Sequence, residues 1–569
     1  MNAKQLRFLC WVATLLSLLG GVFLAATSVP LGVPGEWTWD RCPSPATDLF
    51  RRSLWLLSFA LLFVAFSWLG LKKFQWRQLQ ETANSRGRPK ANGQKASDQS
   101  KPSTKRWLSG LTVVGFCWLW AVQSWALPPL GLGKAAWVLY YPSASGYFLL
   151  AKRHEQDFST FLSNYAEFVR HGDVLHIGTH PPGLVLLYRA AKVVCQQPLV
   201  RTLVAATEPT PYMESSRIIR TLEGAEQFTA SDEASVWLVA LLTQLVAVSA
   251  VFPLFELVRR RSGLQAAWQS VAFWPLVPSL AVFLPKSDAL YPTLALWFLY
   301  WWDESSLSQQ AERPATREVI FRAAASAAVL WLGLLLSLAL LPALLLACSF
   351  LVVRCFVKDG DGREAKPFGL QRNFWSRVLV KAAGFVGTFG LLCFLFWWAC
   401  GLNLLEVWKY NYQNHAAFYR FFPRTYWKWL LVNPVESVFA VGVPAAVLAG
   451  TGLWLLWRNW NRLNAAHKEL VAVPLVLGLL WLSGKNMGEA ARLWLVVLPW
   501  PLWLSGVVWQ EAGETLSKPR PNSEFNSARS ASTFETNWLW LLTLQLLFCV
   551  VVTGYVDGFN LCGPLFKGH

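Results

Sequence analysis

Three titratable side chains stand within eight residues of one another, in the segment Asp173-Val-Leu-His176-Ile-Gly-Thr-His180. A carboxylate or an imidazole acts as a general base when its surroundings tune its pKa. Two histidines four residues apart can also share a helix face and bind a metal such as zinc, although Gly178 and the two prolines after His180 disfavour a regular helix. The segment is therefore a candidate polar site. Metal binding and a loop whose histidines hydrogen-bond to the backbone are the alternatives.

Two further groups of ionisable residues interrupt apolar segments, where charged side chains are costly and are candidates for function. Lys286 and Asp288 form the first group, and a solvated turn between two spans is an equal alternative because prolines flank it. Glu489 and Arg492 form the second group, and their spacing of three residues allows an ion pair on a helix. The planar guanidinium of Arg492 also matches the oxygens of a phosphate.

The elements that must position these residues belong to a membrane protein. Of the 569 residues, 54% are hydrophobic and 15% are charged, whereas a soluble domain carries roughly 25% charged residues. Many apolar segments approach the ~20 residues that span a bilayer. They lie at about 8–28, 53–70, 107–126, 235–257, 264–284, 287–302, 319–353, 379–400, 434–457, 469–484, 493–511 and 537–555. We therefore predict an all-α polytopic membrane protein with about 11–13 transmembrane helices.

The net charge of +18 is concentrated in a few segments between spans, namely 72–106, 259–261 and 354–377. Positive residues in short loops mark the cytoplasmic side of a membrane. The charge therefore reflects topology and does not indicate a nucleic-acid partner. It predicts a multi-pass protein of the plasma (inner) membrane with an uncleaved N-terminal signal anchor, whose loops 29–52, 127–234 and 401–433 lie outside.

The spans and the polar stretches between them predict five parts of the chain. We expect a two-helix N-terminal membrane unit, a disordered basic cytoplasmic linker, a membrane core, a polar cytoplasmic loop, and a last helix with an outer tail. Their predicted bounds are 1–80, 81–106, 107–511, 512–536 and 537–569. Cys42 and Cys562 both fall on the predicted outer side and could pair in an oxidising compartment.

The outer loop 127–234 is long, and unstructured loops of such length are uncommon unless they are functional. Apolar residues three and four apart predict a helix along the membrane face over 146–169. A second helical segment is expected over 184–200, since proline suits the first turn of a helix. In the other large outer loop, His415 and Arg420 lie in an aromatic-rich segment that fits an interfacial helix or a phosphate-binding surface.

From about residue 107 to 510, the chain resembles the GT-C superfamily of membrane glycosyltransferases, which use polyprenyl-phosphate sugars, and it is most similar to bacterial members. Short motifs in the expected order carry the resemblance. They are Pro142-Ser-Ala-Ser-Gly-Tyr147, the His180-Pro-Pro-Gly183 segment, Arg259–Arg261, Ser287-Asp-Ala289 and Gly488-Glu-Ala-Ala-Arg492.

The resemblance implies transfer of a sugar from a polyprenyl phosphate to a glycan, lipid or protein acceptor on the outer face of the membrane. Membrane lipids are expected partners, no cofactor is certain, and a divalent metal is allowed with no assigned ligands. The site residues implied as catalytic are Asp173 or Asp157 as the base, with His176 and His180 beside it. The residues implied as substrate-binding are Lys286, Asp288, His415, Arg420, Glu489 and Arg492.

The chain departs from the family pattern at an early position in the outer loop. The family usually has an acidic residue there, whereas this chain has Ser143-Ala-Ser145. A catalytic carboxylate would then come from Asp157, Asp173 or Asp40. Two other functions remain open: a transporter or flippase for a lipid-linked or polar solute, and a catalytically inactive GT-C-like scaffold.

Overall fold

Helices make up nearly all of the regular structure of the chain. The computed structural model describes residues 1–27, 29–41, 46–86, 101–303, 316–356, 372–463, 465–517 and 524–561. Within these ranges, nine helical stretches are long and apolar enough to cross a membrane, or ten when one bent pair of helices is counted as a span. The chain is therefore an all-α multi-pass membrane protein, as predicted.

The first part of the chain contains two long helices and a hairpin, followed by the first helix of the core. These elements are α1 (Ala3–Ala26), β1 (Leu31–Val33), β2 (Trp37–Arg41), α2 (Ala46–Arg86) and α3 (Lys101–Trp125).

Seven short helices fill the predicted outer loop: α4 (Lys134–Tyr140), α5 (Tyr147–Arg153), α6 (Phe158–Ser163), α7 (Tyr165–Arg170), α8 (Gly183–Cys195), α9 (Pro198–Ala205) and α10 (Thr210–Glu223).

The membrane core continues through α11 (Ala230–Ser249), α12 (Val251–Val271), α13 (Pro278–Phe283), α14 (Tyr291–Trp302), α15 (Thr316–Leu336), α16 (Leu341–Phe356) and α17 (Arg372–Cys400). It ends with α18 (Leu404–Phe421), α19 (Tyr426–Val441), α20 (Val443–Arg458), α21 (Ala465–Lys468), α22 (Ala472–Leu482), α23 (Ala490–Leu493), α24 (Pro499–Ser517), α25 (Glu524–Tyr555) and β3 (Val556–Asp557).

The number of candidate spans in the described ranges is lower than the 11–13 predicted. The apolar segment 287–302 explains part of the difference, because it forms a short 3-10 turn and then α14, which has 12 residues. A helix of that length extends about 18 Å, which is less than the ~30 Å hydrocarbon core. In addition, residues 230–283 count as one continuous apolar stretch, although they contain the three helices α11, α12 and α13.

The N-terminal helices pack against helices of the predicted membrane core. α1 packs against α20 and α25, and α2 packs against α3 and α12. Trp268 of α12 is central to this contact. Its ring lies 5.1 Å from that of Phe74, and its indole N–H donates a 2.8 Å hydrogen bond to the carbonyl of Ser67.

Helices extend into both predicted polar linkers. α2 continues to Arg86 and α3 begins at Lys101, so the ends of the predicted disordered linker 81–106 are helical. α24 and α25 likewise extend into the predicted loop 512–536. Residues such as Gln, Glu, Ala and Arg are good helix formers even where apolar residues are few. The rest of both linkers, and the predicted Cys42–Cys562 pair, fall outside the described residues.

The predicted outer loop forms a layer of short helices with its own hydrophobic cluster, which includes Tyr147, Tyr165 and Trp237. The helix predicted over 146–169 is divided into α5, α6 and α7. The segment predicted over 184–200 forms α8, which begins directly after Pro182 as the proline pattern indicated, and the first part of α9.

A buried ionic network joins four elements at the predicted cytoplasmic ends of the core helices. Arg261 of α12 pairs with Asp303 at 2.9 Å and with Glu469 at 3.2 Å. Glu469 also pairs with Arg354 of α16 at 2.7 Å. Removing one partner of such a network leaves a buried charge uncompensated, which is strongly destabilising. Arg261, which the sequence marks as part of a basic segment and of the Arg259–Arg261 motif, thus has a structural role in this network.

Candidate functional site

The predicted site residues converge on one cavity of about 2250 Å³ beneath the layer of short helices. Seven of the ten predicted site residues line this cavity: His176, His180, Lys286, Asp288, His415, Glu489 and Arg492. The elements around it are the hairpin β1–β2, α4, α10, α18, the turn before α8, the turn before α14, and the segment from α22 to α23.

The turn that carries the two histidines is held by an aspartate at its start. Oδ1 of Asp173 accepts hydrogen bonds from the backbone N–H of Leu175 at 2.8 Å and of His176 at 2.7 Å. The exposed Asp173 is not among the residues that line the cavity. Its observed contacts are therefore those of a turn-forming residue.

Two asparagines of α18 hold the same turn from the other side. Asn411 and Asn414 each donate a 2.9 Å hydrogen bond to the carbonyl of Gly178. A Cβ atom at Gly178 would lie 2.1 Å from the carbonyl oxygen of Asp173, so only glycine fits this close approach. The turn is thereby fixed against α18 before any ligand binds.

Both histidines of the turn donate to backbone carbonyls. Nε2 of His176 lies 2.9 Å from the carbonyl oxygen of Ser143, and Nδ1 of His180 lies 2.9 Å from that of His176. A carbonyl oxygen only accepts, so each of these nitrogens carries the proton. Burial lowers the pKa of His180 to about 4, and burial together with the charge of Lys286 lowers the pKa of His176 well below its usual value. Both rings are therefore neutral at pH 7.

Two cations lie deep in the cavity. The ammonium of buried Lys286 donates to the carbonyl of Ala144. Burial, reinforced by the charge of Arg492, lowers the pKa of Lys286 to about 7. Arg492 forms the ion pair with Glu489 that their spacing predicts, while its Nε atom is buried and has no hydrogen-bond partner within the described part of the chain. Arg492 therefore retains a donor for a ligand.

Asp288 is the carboxylate best placed for proton transfer. It is 8% exposed and lines the cavity, and no described residue donates a hydrogen bond to its carboxylate. Its charge raises the pKa of His180, against the larger effect of burial. It also favours the protonated forms of Lys286 and Arg492, and so raises their pKa values. The other described carboxylates on the cavity wall are Glu489, which is paired with Arg492, and Glu214, which is exposed.

Three of the predicted site residues lie outside the cavity lining. Asp157 is 58% exposed and pairs with His154 at 3.2 Å. Asp173 forms the turn described above, and Arg420 is exposed on α18. The structure therefore does not bring these three residues to the cations of the cavity. Asp40, the other carboxylate considered, lies in β2 opposite Asp557 and is also absent from the lining.

Arg424 and Trp37 also line the cavity, although neither was among the predicted site residues. Arg424 donates to the backbone carbonyl of Glu36 at the hairpin tip, and its guanidinium lies 5.8 Å from the Trp37 ring. Its Nε atom is buried without a partner in the described ranges. The only signal in the sequence is a basic residue among aromatic ones in an outer loop. Nothing there indicates the contact with Glu36 of the hairpin, which lies 388 residues earlier.

One wall of the cavity is apolar and belongs to membrane spans. Leu341 and Leu345 come from the candidate span Leu338–Phe356, while Val476 and Leu479 come from Ala465–Leu482. Two leucines, Leu345 and Leu479, are 45% and 56% exposed. The cavity thus continues from its polar centre to apolar side chains of two candidate spans.

The charges of the lining favour an anionic ligand. Six cationic residues line the cavity against three carboxylates, and both histidines of the turn are neutral.

The described residues contain no group of three or more His, Cys, Asp or Glu side chains arranged to hold a metal ion. His176, His180 and Asp173, which the sequence placed together, therefore do not form such a group.

No protein family model matches this chain, and no curated protein resembles it in sequence. The functional assignment accordingly depends on the residues of the cavity and their chemistry.

Proposed function

We propose that this protein is a membrane glycosyltransferase that moves a sugar from a polyprenyl-phosphate carrier to an acceptor hydroxyl on the outer face of the plasma membrane. The observation that supports it is one cavity with a cationic centre, an apolar wall made of two spans, and a carboxylate free of hydrogen-bond donors among the described residues. A lipid-linked phosphate has the matching parts, since its chain is apolar and its headgroup is anionic. The proposal agrees with the GT-C resemblance of the sequence.

The cations of the cavity would hold the phosphate. Arg492 offers a planar set of donors, and Lys286 offers a point charge beside it. When the bond between the sugar C1 atom and the phosphate oxygen breaks, the leaving polyprenyl phosphate gains negative charge. Fixed cations in a site that excludes water stabilise such developing charge. The polyprenyl chain would lie along Leu341, Leu345 and Leu479.

Asp288 would act as the general base. It takes the proton of the acceptor hydroxyl as that oxygen bonds to C1, and the polyprenyl phosphate leaves with the electrons of the broken bond. Neutral His180, whose Nδ1 proton is donated to the backbone, keeps Nε2 as a hydrogen-bond acceptor. The base assigned from sequence, Asp173 or Asp157, is replaced in this proposal, because neither carboxylate lines the cavity.

The test is a transfer assay with purified protein and a panel of radiolabelled polyprenyl-phosphate sugars. Asp288→Asn should lower the rate of transfer by about 10²–10⁴-fold, with donor affinity changed only a few-fold. Asp157→Asn, outside the cavity, is the matched control and should behave as wild type. Full activity in Asp288→Asn would show that the base lies elsewhere. If no donor is consumed and no polyprenyl phosphate binds, the enzyme proposal is wrong, and movement of an intact lipid across the bilayer would support a flippase.

A further inference from the structure

We infer that the end of the cavity between α4 and α10 binds a neutral saccharide, which serves as the acceptor of the transfer. This inference rests on the proposed function, since it names the second substrate of the same cavity. The lining at this end comes from one side of each helix. It includes Trp137 of α4 and Tyr141 directly after that helix, with Thr210, Glu214, Ile218 and Leu222 of α10.

The aromatic pair forms a preorganised surface. Trp137 and Tyr141 are one helical turn apart, their ring centroids are 5.7 Å apart, and their planes differ by 8°. Both side chains are half-buried. Each ring therefore fixes the orientation of the other. The negative face of an aromatic ring attracts the C–H groups on the face of a sugar ring, so this surface suits a pyranose.

The charges at this end differ from those at the centre of the cavity. Lys134 is the one cation on the described lining of α4 and α10, and its ammonium donates to the carbonyls of Ala281 at 3.0 Å and Val282 at 2.9 Å. Glu214 is exposed on the cavity wall. A phosphorylated or sulfated sugar would meet this carboxylate without a free cation to offset it. A neutral sugar would instead find a hydrogen-bond acceptor for its hydroxyls.

The aromatic surface is adjacent to the proposed reaction centre along the chain. Tyr141 is two residues before Ser143, whose carbonyl accepts from His176, and three before Ala144, whose carbonyl accepts from Lys286. Two residues span at most about 7 Å. The Cα atom of Tyr141 therefore lies within about 7 Å of that of Ser143, so the aromatic surface adjoins the backbone that accepts from His176.

The test measures saccharide binding without requiring transfer. Detergent-solubilised protein is applied to a printed array of neutral oligosaccharides and their sulfated and phosphorylated counterparts. We expect the wild type to bind neutral members at least tenfold better than anionic ones. Trp137→Ala should weaken that binding at least tenfold, and Trp137→Phe should restore most of it. Trp398→Ala is the control, since this residue is 75% exposed on α17 and is not part of the lining.

Glu214→Lys provides a second variant whose exposed position does not threaten the fold. It should shift the preference toward anionic saccharides by at least tenfold. The inference is overturned if the wild type binds no neutral saccharide, if it prefers anionic ones, or if binding is the same in Trp137→Ala, as it would be for an aromatic residue that only contacts lipid.

Binding of undecaprenyl phosphate separates this inference from the proposed function. Trp137→Ala should bind that lipid within twofold of the wild type, because the aromatic surface does not contact the phosphate. If the wild type binds the lipid but no neutral saccharide, only the present inference fails. If it binds neutral saccharides but not the lipid, the proposed transfer from a polyprenyl phosphate fails, and so does the role of the saccharide as its acceptor.

Discussion

The indole N–H of Trp39 donates a 2.8 Å hydrogen bond to Oε1 of Glu436, 397 residues further along the chain. The same oxygen accepts a 2.8 Å hydrogen bond from the backbone N–H of Ala491, the residue before Arg492. One carboxylate thus joins the hairpin β1–β2, the helix α19, and the helix that carries a phosphate-binding candidate. The position of Arg492 depends on the hairpin through this contact.

Trp39→Phe should therefore affect both stability and donor binding. Loss of the N–H leaves the buried carboxylate of Glu436 short of a donor, which costs about 1–3 kcal/mol. We expect a lower free energy of unfolding in denaturant and a several-fold weaker affinity for polyprenyl phosphate. Trp11→Phe is the control, because Trp11 is 75% exposed on α1. An unchanged affinity in Trp39→Phe would show that the hairpin does not position Arg492.

Donor affinity should depend on pH through Lys286. Its pKa is lowered to about 7, mainly by burial and then by Arg492, so its charge is present below pH 7 and is lost above it. Affinity for a phosphodiester donor, whose own charge is constant, should fall by up to about tenfold per pH unit above 7. Lys286→Arg should remove this dependence, since a guanidinium remains charged. Dissociation constants measured from roughly pH 6 to 9 test this expectation. A flat profile in the wild type would contradict it.

Asp173 offers a comparison between a catalytic and a turn-forming carboxylate. Asp173→Asn keeps the Oδ1 acceptor for the N–H groups of Leu175 and His176 and should retain nearly full transfer activity. Asp173→Ala removes this acceptor, so it should lower the melting temperature and the activity together. A catalytic base would lose activity in both variants while stability remained close to wild type. Transfer rates and melting curves of the two variants distinguish these cases.

Stability at acidic pH should depend on Glu36. Burial alone would raise its pKa, but hydrogen bonds from Thr425, Trp429 and Lys428 outweigh this effect and lower it from 4.5 to about 2. The folded-state pKa is below the unfolded value, so the stabilisation is present above pH 4.5 and is lost as the pH falls toward 2. Glu36→Gln should have a lower melting temperature at neutral pH. The difference in melting temperature between this variant and the wild type should narrow between roughly pH 4.5 and 3. A constant difference over that interval would argue against a stabilising role of the Glu36 carboxylate.

The sequence predicts the site residues that are ionisable and stand next to apolar segments, because a charge is unfavourable in an apolar environment. Lys286, Arg492 and the two histidines line the cavity because the protein accommodates such residues where a polar interior exists. The helix after Pro182 was also predictable, since proline favours a first turn.

The carboxylate that lines the cavity beside the cations was not predictable, because its position depends on how distant parts of the chain pack. Asp173 is close to His176 in sequence, yet its Oδ1 atom serves the local turn. Asp288 lies more than 100 residues away and reaches the same cavity through the packing of the membrane core. The hairpin contacts of Glu36 are equally remote in sequence. Local sequence patterns indicate which charged residues are unfavourable to bury. They do not indicate which residues, distant in sequence, pair with these charges in the folded protein.

The pairing of β2 with β3 has a consequence for biosynthesis. Asp40 and Arg41 pair with Asp557 and Val556, about 515 residues later. At about 5–20 residues per second, translation takes roughly 25 to 100 s to cover that interval. During this interval the hairpin β1–β2 has been synthesised, but its partner strand β3 has not. A chain truncated before residue 556 therefore carries an incomplete cavity wall, because Gly558, Phe559 and Asn560 also line the cavity.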